Sequence, residues 1–484
     1  MAVIRVKVDS KPQPDSDPKP ESSPTSLSLV ASNPALLQAV SGSPVTFDQL
    51  AKYKSNFDHD PKNKLARRAL MKDSYVSVLE NTELVQSTPA VFNNKTKIEG
   101  KITNQKSSGR CWIFAGLNVL RLKVMEKHNL ETTELSQTYL FFYDKIEKSN
   151  WFLENIVNTL DLDLDSREIQ HLLTDPIQDG GQWDMFVSLV TKYGVVPIEA
   201  FPDSFHSMNS RQMDELITTK LRTFAKDIRN SYSAHSDMNQ VHEIRKAALD
   251  EVYRILCISL GVPPQTFDWT FYDKDKAFKQ VSGITPLEFY QDHVGIDLNK
   301  TVSLINDPRN PYYELYTVKH LGNVVGGVPV HYVNLPDEQL KLLASKTISE
   351  KKKSVWFGCH VGKFSNRTTS VLDLDVIDYN SGLSISFDLN KAERLQYGES
   401  LMTHAMVFTG VQLENDATKR WRVENSWGEN SGNKGFITMS DRWFTEFVYQ
   451  IVLEYEDVPQ EILDVMKRDP VVLPPWDPMG ALAQ

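Results

Sequence analysis

Cysteine is scarce in this chain of 484 residues, which contains only Cys111, Cys257 and Cys359. Three widely spaced cysteines cannot build a disulfide framework, and they lack the paired spacing of a structural zinc site. This usage is typical of a protein from a reducing compartment. The sequence indicates neither a metal site nor a cofactor.

Long apolar runs are also absent. No stretch of about 18 consecutive apolar residues occurs, and residues 1–15, MAVIRVKVDSKPQPD, lack the apolar segment of a secretion signal. We therefore expect a cytoplasmic protein that has no membrane partner. The net charge of −10, from 53 Lys and Arg against 63 Asp and Glu, disfavours a dedicated nucleic-acid binder but is compatible with a local basic patch.

Three common enzyme motifs are missing. The chain contains no G-x-x-x-x-G-K-[ST] phosphate loop and no G-x-S-x-G serine-hydrolase motif. A zinc-peptidase H-E-x-x-H motif begins at His242 but has Lys246 where the second histidine is required. These absences remove the best sequence support for nucleotide, serine-hydrolase and zinc-peptidase chemistry.

The composition changes along the chain. Residues 1–45 form a Ser/Pro-rich arm that we expect to be disordered, because residues 9–44 have no aromatic side chain to bury. Apolar stripes with helical spacing predict two long helices between Met208 and Gly261. After Val355 the chain has short β-rich segments, which indicate an antiparallel sheet: VLDLDVIDY, LSISFDL, HAMVFTGVQL, RWRVENSW, GFITMS and YQIVLEY.

The last segment, residues 459–484, is too rich in proline to end as a helix or a central strand. It nevertheless carries three large apolar side chains, those of Trp476, Met479 and Leu482. A free tail rarely holds such anchors, so we expect this one to dock on the rest of the protein.

The segment NQKSSGRCWIFAG, residues 104–116, is the strongest candidate for chemistry. Apolar residues recur with helical spacing after Cys111, which predicts that a helix begins there. A thiol at a helix N-terminus is expected to have a lowered pKa, because the positive end of the helix dipole stabilises a thiolate. A backbone N–H at this point and the amide of Gln105 are candidate donors to an oxyanion. Taken alone, a cysteine that begins an amphipathic helix is more often structural.

The second half of the chain supplies candidate partners for this thiol. His404 lies in the β-like segment LMTHAMVFTGV, and Asn425 follows 21 residues later in WRVENSWGENSGNKGF. A histidine can accept the thiol proton, an asparagine oxygen can orient the imidazole, and Trp427 can shield that hydrogen bond from water. In isolation, a buried core histidine and a capping asparagine would be the ordinary interpretations.

Four motifs, taken in their order along the chain, resemble the signature of papain-like cysteine peptidases. They are Gln, Cys-Trp-x-Phe-Ala, a distant His-Ala and Asn-Ser-Trp-Gly. The pair Gly180-Gly181 in DGGQWDMF resembles the segment whose backbone pairs with substrate in that family. Within the family, the chain is similar to the intracellular branch of bleomycin hydrolases and bacterial aminopeptidases C. That similarity is carried by NQKSSGRCW, WFGCHVGK, ERLQYGESLMTHAM, WRVENSWG and LPPWDPMGALA.

The resemblance implies an α+β fold of papain-like type, in which a helical half and an antiparallel, barrel-like β half are separated by a large, mainly helical insertion. We expect the first half to span residues 46–204, the insertion 205–353 and the second half 354–458. The tail, residues 459–484, is expected to dock in the active-site cleft. The resemblance also implies a homohexamer.

The same resemblance implies a cysteine-type aminopeptidase. Cys111 is the expected nucleophile, His404 the base, Asn425 the residue that orients the imidazole, and Gln105 a donor to the oxyanion. Gly180, Gly181 and Trp427 are expected to contact substrate. The expected substrates are peptides with a free N-terminus and bleomycin-like amides, with homocysteine thiolactone as a further candidate.

The C-terminus has a specific role in this branch. Its members remove their own last residue, and the new terminal carboxylate holds the α-ammonium of the substrate. By similarity, Gln484 is expected to be trimmed, which leaves Ala483 as the anchor. The Ser/Pro-rich arm and the terminal Gln484 are departures from the branch.

A second function class stays open, namely single-stranded nucleic-acid binding or a regulatory role of the same hexamer, because relatives in the branch include DNA binders. Charge runs of this kind are more often solvated faces. The candidate contacts are Lys62, Lys64, Arg67, Arg68 and the run Lys351–Lys353.

Overall fold

The computed structural model describes residues 44–482. Residues 1–43 of the predicted arm lie outside the described residues, as do Ala483 and Gln484. The chain separates into two compact units, residues 1–72 and residues 73–484.

The described part of the first unit consists of helices α1 (Phe47–His59) and α2 (Pro61–Leu70). Thr46 caps α1 by accepting a hydrogen bond from the backbone N–H of Gln49, and Asp60 caps α2 in the same way. Proline at the first position of α2 costs nothing there, because its missing N–H would have had no helical partner.

The second unit is a mixture of helices and strands in which the longest helices precede the main strands. Its α-helices are α3 (Tyr75–Val78), α4 (Thr82–Ser87), α5 (Cys111–Lys127), α6 (Gln137–Val157), α7 (Arg167–Thr174), α8 (Trp183–Tyr193), α9 (Phe205–Met208), α10 (Arg211–His235), α11 (Met238–Leu260), α12 (Pro286–Phe289), α13 (Asp337–Ser349), α14 (Tyr379–Leu383), α15 (Lys391–Gln396), α16 (Asp441–Phe447) and α17 (Gln460–Leu463). A π-helix spans Tyr290–Val294, and short 3₁₀ helices span Leu298–Lys300, Tyr455–Asp457, Asp464–Lys467 and Pro478–Gly480.

Its strands are short except for two near the end of the chain. They are β1 (Asn94–Lys95), β2 (Phe267–Tyr272), β3 (Phe278–Ile284), β4 (Thr301–Ile305), β5 (Leu315–Val318), β6 (Tyr332–Asn334), β7 (Val355–Cys359), β8 (Ser365–Asn366), β9 (Val371–Leu372), β10 (His404–Glu414), β11 (Ala417–Glu424), β12 (Phe436–Ser440), β13 (Val448–Glu454) and β14 (Val471–Leu473).

Within residues 44–482, twelve of these strands form one sheet. Its order is β14-β5-β6-β4-β13-β7-β10-β11-β12-β9-β8, with β1 paired to β10. Most neighbours are antiparallel, and the pairs β4–β6, β5–β14 and β9–β12 are parallel. Strands β2 and β3 form a separate antiparallel hairpin.

The centre of the sheet positions the helix that carries Cys111. All five residues of β7 and the first eight of β10 are buried, as expected of strands covered on both faces. Helix α5 packs against β10 and buries Ile113, Leu117 and Val124 completely or almost so. The start of α5 is therefore held beside the start of β10.

The helices predicted from the sequence are confirmed. A helix begins at Cys111, and α10 and α11 lie between Met208 and Gly261. Their apolar stripes face the core: Met213, Ile217, Leu221, Ile228, Ala248 and Val252 are all buried. Residues 205–353 also contain the five strands β2–β6, and β4 pairs with β13 in the main sheet.

Two of the predicted strands are wrong in whole or in part. LSISFDL, residues 383–389, forms no strand, and in VLDLDVIDY only Val371–Leu372 forms a strand, while Ile377 makes an isolated bridge to Glu80. Ile385 and Phe387 are 41% and 57% exposed, so the alternating pattern of LSISFDL finds neither a pairing strand nor a core to cover it. The other four predicted segments coincide with β10, β11, β12 and β13.

The predicted α+β class is confirmed. Among residues 44–482, no helix combines the length and the apolar content that crossing a membrane requires.

Candidate active site

Cys111 is the first residue of α5, and its side chain is fully buried. The preceding residue, Arg110, makes no side-chain cap, so the first backbone N–H groups of the helix are not occupied by a capping side chain. The sulfur of Cys111 accepts a hydrogen bond from the backbone N–H of Ala405, with an N···Sγ distance of 3.4 Å. Ala405 directly follows His404 in the sequence. The contact therefore brings the thiol next to the start of β10, where His404 lies.

His404 begins β10 and is buried. Its Nε2 lies 2.9 Å from Oδ1 of Asn425, which follows the last residue of β11, so the two antiparallel strands bring the side chains together. Since an amide oxygen can only accept, Nε2 carries the proton and Nδ1 is free to act as a base. The ring of Trp427 lies 5.2 Å from the imidazole, centroid to centroid.

Gln105 is joined to the same strand end. Its backbone N–H donates to the carbonyl of Ser426 at 2.9 Å, and its Oε1 accepts from the Ser426 hydroxyl at 2.7 Å. Nε2 donates to the carbonyl of Ser108 at 2.7 Å. An amide NH₂ has two hydrogens, so one of them remains for an oxyanion.

Burial sets the charge state of the thiol and the imidazole. It raises the pKa of Cys111 to about 12 and lowers the pKa of His404 to about 4, because each ion would be poorly solvated. The sequence predicted a lowered thiol pKa from the helix dipole, whereas burial shifts the thiol pKa in the opposite direction. A proton passed from Cys111 to His404 creates opposite charges together, and their attraction offsets part of that cost.

A buried ionic cluster lies under the loop that precedes Cys111. Lys145 is fully buried and lies 2.7 Å from a carboxylate oxygen of both Asp179 and Asp214. Asp179 also accepts hydrogen bonds from the backbone N–H of Gly109 at 2.7 Å and from the hydroxyl of Ser210. Ser210 directly precedes α10, and Asp214 lies in its first turn. The cluster therefore connects the loop before Cys111 to the start of this helix. We call Lys145, Asp179 and Asp214 the lysine cluster.

The two carboxyl groups of the lysine cluster have opposite pKa shifts. Desolvation raises the pKa of Asp214 to about 7. The pKa of Asp179 is held far below its usual range by Lys145 and by hydrogen bonds from Asp214 and Ser210, which outweigh desolvation. Of the two carboxyl groups, that of Asp214 therefore holds its proton to the higher pH.

The glycine pair lies directly beside the cysteine helix. A Cβ atom added to Gly181 would lie 2.5 Å from the ring of Trp112, so only glycine fits there. The carbonyl of Gly180 accepts from Nζ of Lys148 at 2.6 Å, and the indole N–H of Trp112 donates to the carbonyl of Asp179 at 2.6 Å. This segment is therefore fixed against the residue that follows Cys111.

The tail reaches this glycine segment. Strand β14 pairs with β5, Asp477 is bridged to Arg309 at 2.9 Å, and Met479 is buried. The side-chain amide of Gln182 then donates to the carbonyl of Ala481 at 2.7 Å. Residues 471–481 are thus held along a path that ends one residue from Gly181.

A cleft of about 910 Å³ lies beside His404 and the loop that precedes Cys111. Gln105, His404 and Trp427 line one side of it, and the start of α10 lines the other. Its charged lining includes four carboxylates, Asp175, Asp179, Asp214 and Glu215, and four cations, Lys106, Arg211, Arg222 and Arg367.

A buried ion pair connects the cysteine helix to the strand that precedes Asn425. The guanidinium of Arg121 in α5 lies 2.6 Å from Oε1 of Glu424, which precedes Asn425. Both side chains are at most 2% exposed. The helix of Cys111 is thereby fastened to the strand that presents Asn425.

The structure brings Cys111, His404, Asn425, Gln105 and Trp427 together and places the glycine pair beside them. Sequence reasoning missed the lysine cluster, because its members lie on three separate elements and a helical lysine is solvated by default. A signal for Asp179 was present, since it directly precedes the glycine pair in DGGQW.

Comparison with known proteins identifies the family. The Peptidase C1-like family matches residues 44–480. The chain belongs to this family. Bleomycin hydrolase of Homo sapiens is 42% identical over 456 residues, which cover 92% of this chain and 100% of that protein. Aminopeptidase C of Lactococcus lactis subsp. lactis is 44% identical over 443 residues, which cover 91% and 100%.

A solved structure extends the similarity to three dimensions. The crystal structure of PepW from Lactobacillus rhamnosis has a TM-score of 0.89 to this Peptidase C1-like chain at 42% identity, covering 91% of this chain and 100% of that one. These similarities confirm the predicted papain-like fold and the bleomycin hydrolase and aminopeptidase C branch. As a member of that branch, the chain is a cysteine-type aminopeptidase.

Proposed function

We propose that the chain removes N-terminal residues from peptides by acyl-thioenzyme chemistry, with Cys111 as nucleophile, His404 as general base and acid, and Asn425 as the residue that orients His404. The observation that carries the proposal is the meeting of three distant segments at one point. Ala405 N–H contacts the sulfur at 3.4 Å, and the His404–Asn425 hydrogen bond is 2.9 Å long.

In the acylation step, Nδ1 of His404 takes the thiol proton while the sulfur of Cys111 attacks the substrate carbonyl carbon. The carbonyl oxygen becomes an oxyanion, which accepts hydrogen bonds from Nε2 of Gln105 and the backbone N–H of Cys111. The C–N bond then breaks, and His404 gives its proton to the leaving amine. A thioester joins the acyl group to Cys111.

In the deacylation step, His404 takes a proton from water, and the resulting hydroxide attacks the thioester carbonyl. The sulfur leaves and is reprotonated by His404, which restores the neutral pair. The roles of acid and base are thus held by one imidazole throughout, and the Asn425 contact keeps its ring in one orientation.

The tail supports the preference for a free amino end. Gln182 holds the carbonyl of Ala481 next to the glycine pair, which is the segment expected to contact the acyl side of the substrate. We propose that Gln484 is self-trimmed and that the carboxylate of Ala483 pairs with the α-ammonium of the substrate. Bleomycin-like amides are proposed as further substrates, with homocysteine thiolactone as a thioester analogue.

Replacement of the nucleophile tests the chemistry. We expect Cys111→Ala to abolish hydrolysis of aminoacyl arylamides while the unfolding midpoint stays close to that of the parent. Cys257→Ala in α11 is the matched control and should retain full turnover. Undiminished aminopeptidase activity in a clean Cys111→Ala preparation would contradict the assignment.

Truncation of the tail tests whether the chain end recognises the α-ammonium of the substrate. We expect deletion of residues 481–484 to lower aminopeptidase turnover and to permit cleavage of N-acetylated peptides, because the blocking chain end and its carboxylate are gone. Deletion of Gln484 alone is the control and should leave turnover intact. Identical product patterns for the full chain and the deletion, read by mass spectrometry, would rule out this role of the tail.

A cytoplasmic location, peptides as partners and a homohexamer complete the proposal, and analytical ultracentrifugation tests the last. The nucleic-acid alternative has less support in the structure. Nζ of Lys353 is already bound to Glu454, Glu456 and Asp457, so this residue is not free for phosphate. A salt-dependent gel shift with single strands is the test, and no binding at low salt removes that alternative.

A further inference from the structure

Arg367 occupies a distinctive position at the mouth of the cleft. It lies in the segment between β8 and β9, and its guanidinium carbon is 4.4 Å from the centroid of the Trp427 ring. Trp427 in turn packs on His404 at 5.2 Å. Arg367, Trp427 and His404 therefore lie side by side, and all three line the cleft.

The charge of Arg367 is not neutralised within the described residues. Arg211, on the opposite wall, is paired with Glu215 at 2.8 Å, and Arg222 donates to the carbonyls of Leu173 and Thr174. Arg367 has neither a carboxylate nor a carbonyl partner in residues 44–482, and the cation–π contact is what holds it over Trp427. Its five N–H donors make no hydrogen bond within the described residues, and their fork geometry suits a carboxylate.

The chemistry determines which side of the scissile bond faces these three residues. His404 gives its proton to the leaving amine, so the leaving residue lies against the imidazole and against Trp427, which packs on it. The acyl side lies at the glycine pair, where Gln182 holds the tail. Arg367 is thus on the leaving-group side, and the proposed reader of the α-ammonium is on the other.

We propose that Arg367 binds a carboxylate on the residue released with the leaving amine, and so favours substrates that carry a negative charge just after the scissile bond. The inference rests on the proposed function, because it takes the direction of the substrate from the role of His404. The charge has two sources, the free C-terminus of a dipeptide and an acidic side chain in a longer peptide.

Two substrate pairs separate these sources. Ala-Gly and Ala-Gly-amide differ only in the terminal carboxylate, and Ala-Asp-amide and Ala-Asn-amide differ only in the side-chain carboxylate. We expect kcat/KM to be about tenfold higher for the charged member of at least one pair. Arg367→Gln should bring that ratio close to one, and Arg367→Lys should restore part of it. Arg211→Gln is the matched control and should keep the parental ratio.

A second measurement needs no peptide turnover. Iodoacetate and iodoacetamide alkylate the same thiol, but only iodoacetate is an anion. We expect the ratio of their rates at Cys111, followed by mass spectrometry, to fall in Arg367→Gln and to stay unchanged in Arg211→Gln.

The outcomes distinguish the two proposals. If alanine arylamide is hydrolysed but both charge ratios are the same in the parent and in Arg367→Gln, the carboxylate assignment is overturned and the aminopeptidase function stands. If no aminoacyl substrate is hydrolysed while the alkylation ratio still depends on Arg367, the proposed function fails and the anion site is retained.

Discussion

The two sides of the site are held in place by different physical means. On the cysteine side, the loop before α5 rests on buried charges, namely the lysine cluster and the Arg110–Asp203 pair, in which Arg110 is fully buried. On the histidine side, β10 rests on stacked aromatic rings. Phe408 lies 3.7 Å from Phe357 and 5.6 Å from Phe444, centroid to centroid.

The difference follows from the local backbone. His404 is a strand residue, and the sheet register already fixes its direction, so β10 needs only close packing beneath it. The loop from Gln105 to Arg110 makes only an isolated bridge, between Ser107 and Asn209, and its N–H groups must point at defined positions. Charged partners such as Asp179 supply directional bonds to such a loop. Removing one charge should therefore cost more than trimming one ring.

The largest effect is expected in the lysine cluster. Lys145→Met leaves Asp179 and Asp214 facing each other in a buried site, and we expect the free energy of unfolding to fall by about 3–5 kcal/mol at neutral pH. Urea unfolding followed by intrinsic fluorescence measures this loss. The control is Lys220→Met, which breaks a half-exposed pair with Glu251 and should cost at most about 1 kcal/mol. Equal losses of unfolding free energy in Lys145→Met and Lys220→Met would contradict the expected difference between a buried and a partly exposed ion pair.

An intermediate effect concerns pH. The pKa of Asp214 is raised to about 7, so the folded state holds this proton more tightly than the unfolded chain does. The stability it contributes is present at pH 4 and is lost as the pH rises through 7, by up to about 2–4 kcal/mol. We expect Asp214→Asn to flatten the dependence of the unfolding midpoint on pH between 5 and 8.5. An unchanged slope in Asp214→Asn would assign the dependence to other groups.

The smallest effect is expected under the histidine. Phe408→Leu removes part of the ring stack without exposing a charge, and we expect a loss of about 1–2 kcal/mol that is the same at pH 5 and pH 8.5. Hydrolysis of an aminoacyl arylamide per folded molecule should stay near the parental value. A strong pH dependence of this loss would show that the aromatic side of the site is coupled to a titrating group.

The sequence predicted the helix that begins at Cys111 and the strand that carries His404, but not the buried charged groups that support them. The start of α5 at Cys111 and the strand that begins at His404 follow from local periodicity, which survives in the fold because both segments are buried. Local periodicity also led to the wrong strand prediction for LSISFDL. Ile385 and Phe387 alternate with polar residues there, as in a strand, but both side chains are exposed.

The lysine cluster and Arg367 escaped prediction for a different reason. Whether a charged side chain is buried depends on neighbours that are distant in sequence, and nothing local to Lys145 indicates Asp179 or Asp214 as partners. The burial that raises the thiol pKa of Cys111 is likewise a tertiary effect, whereas the helix dipole that favours a thiolate is a local one. The catalytic roles of Cys111, His404, Asn425 and Gln105 stay predictions until the variants are measured.

The pair formed by Arg121 and Glu424 bears on how the enzyme is made. Glu424 is synthesised 303 residues after Arg121. During most of synthesis, the helix therefore carries a guanidinium whose partner has not yet been made. An uncompensated cation of this kind opposes docking of the helix into a dry interior. Stable burial of α5 therefore requires the strand that carries Glu424, and a chain that ends before this residue is expected to leave α5 undocked.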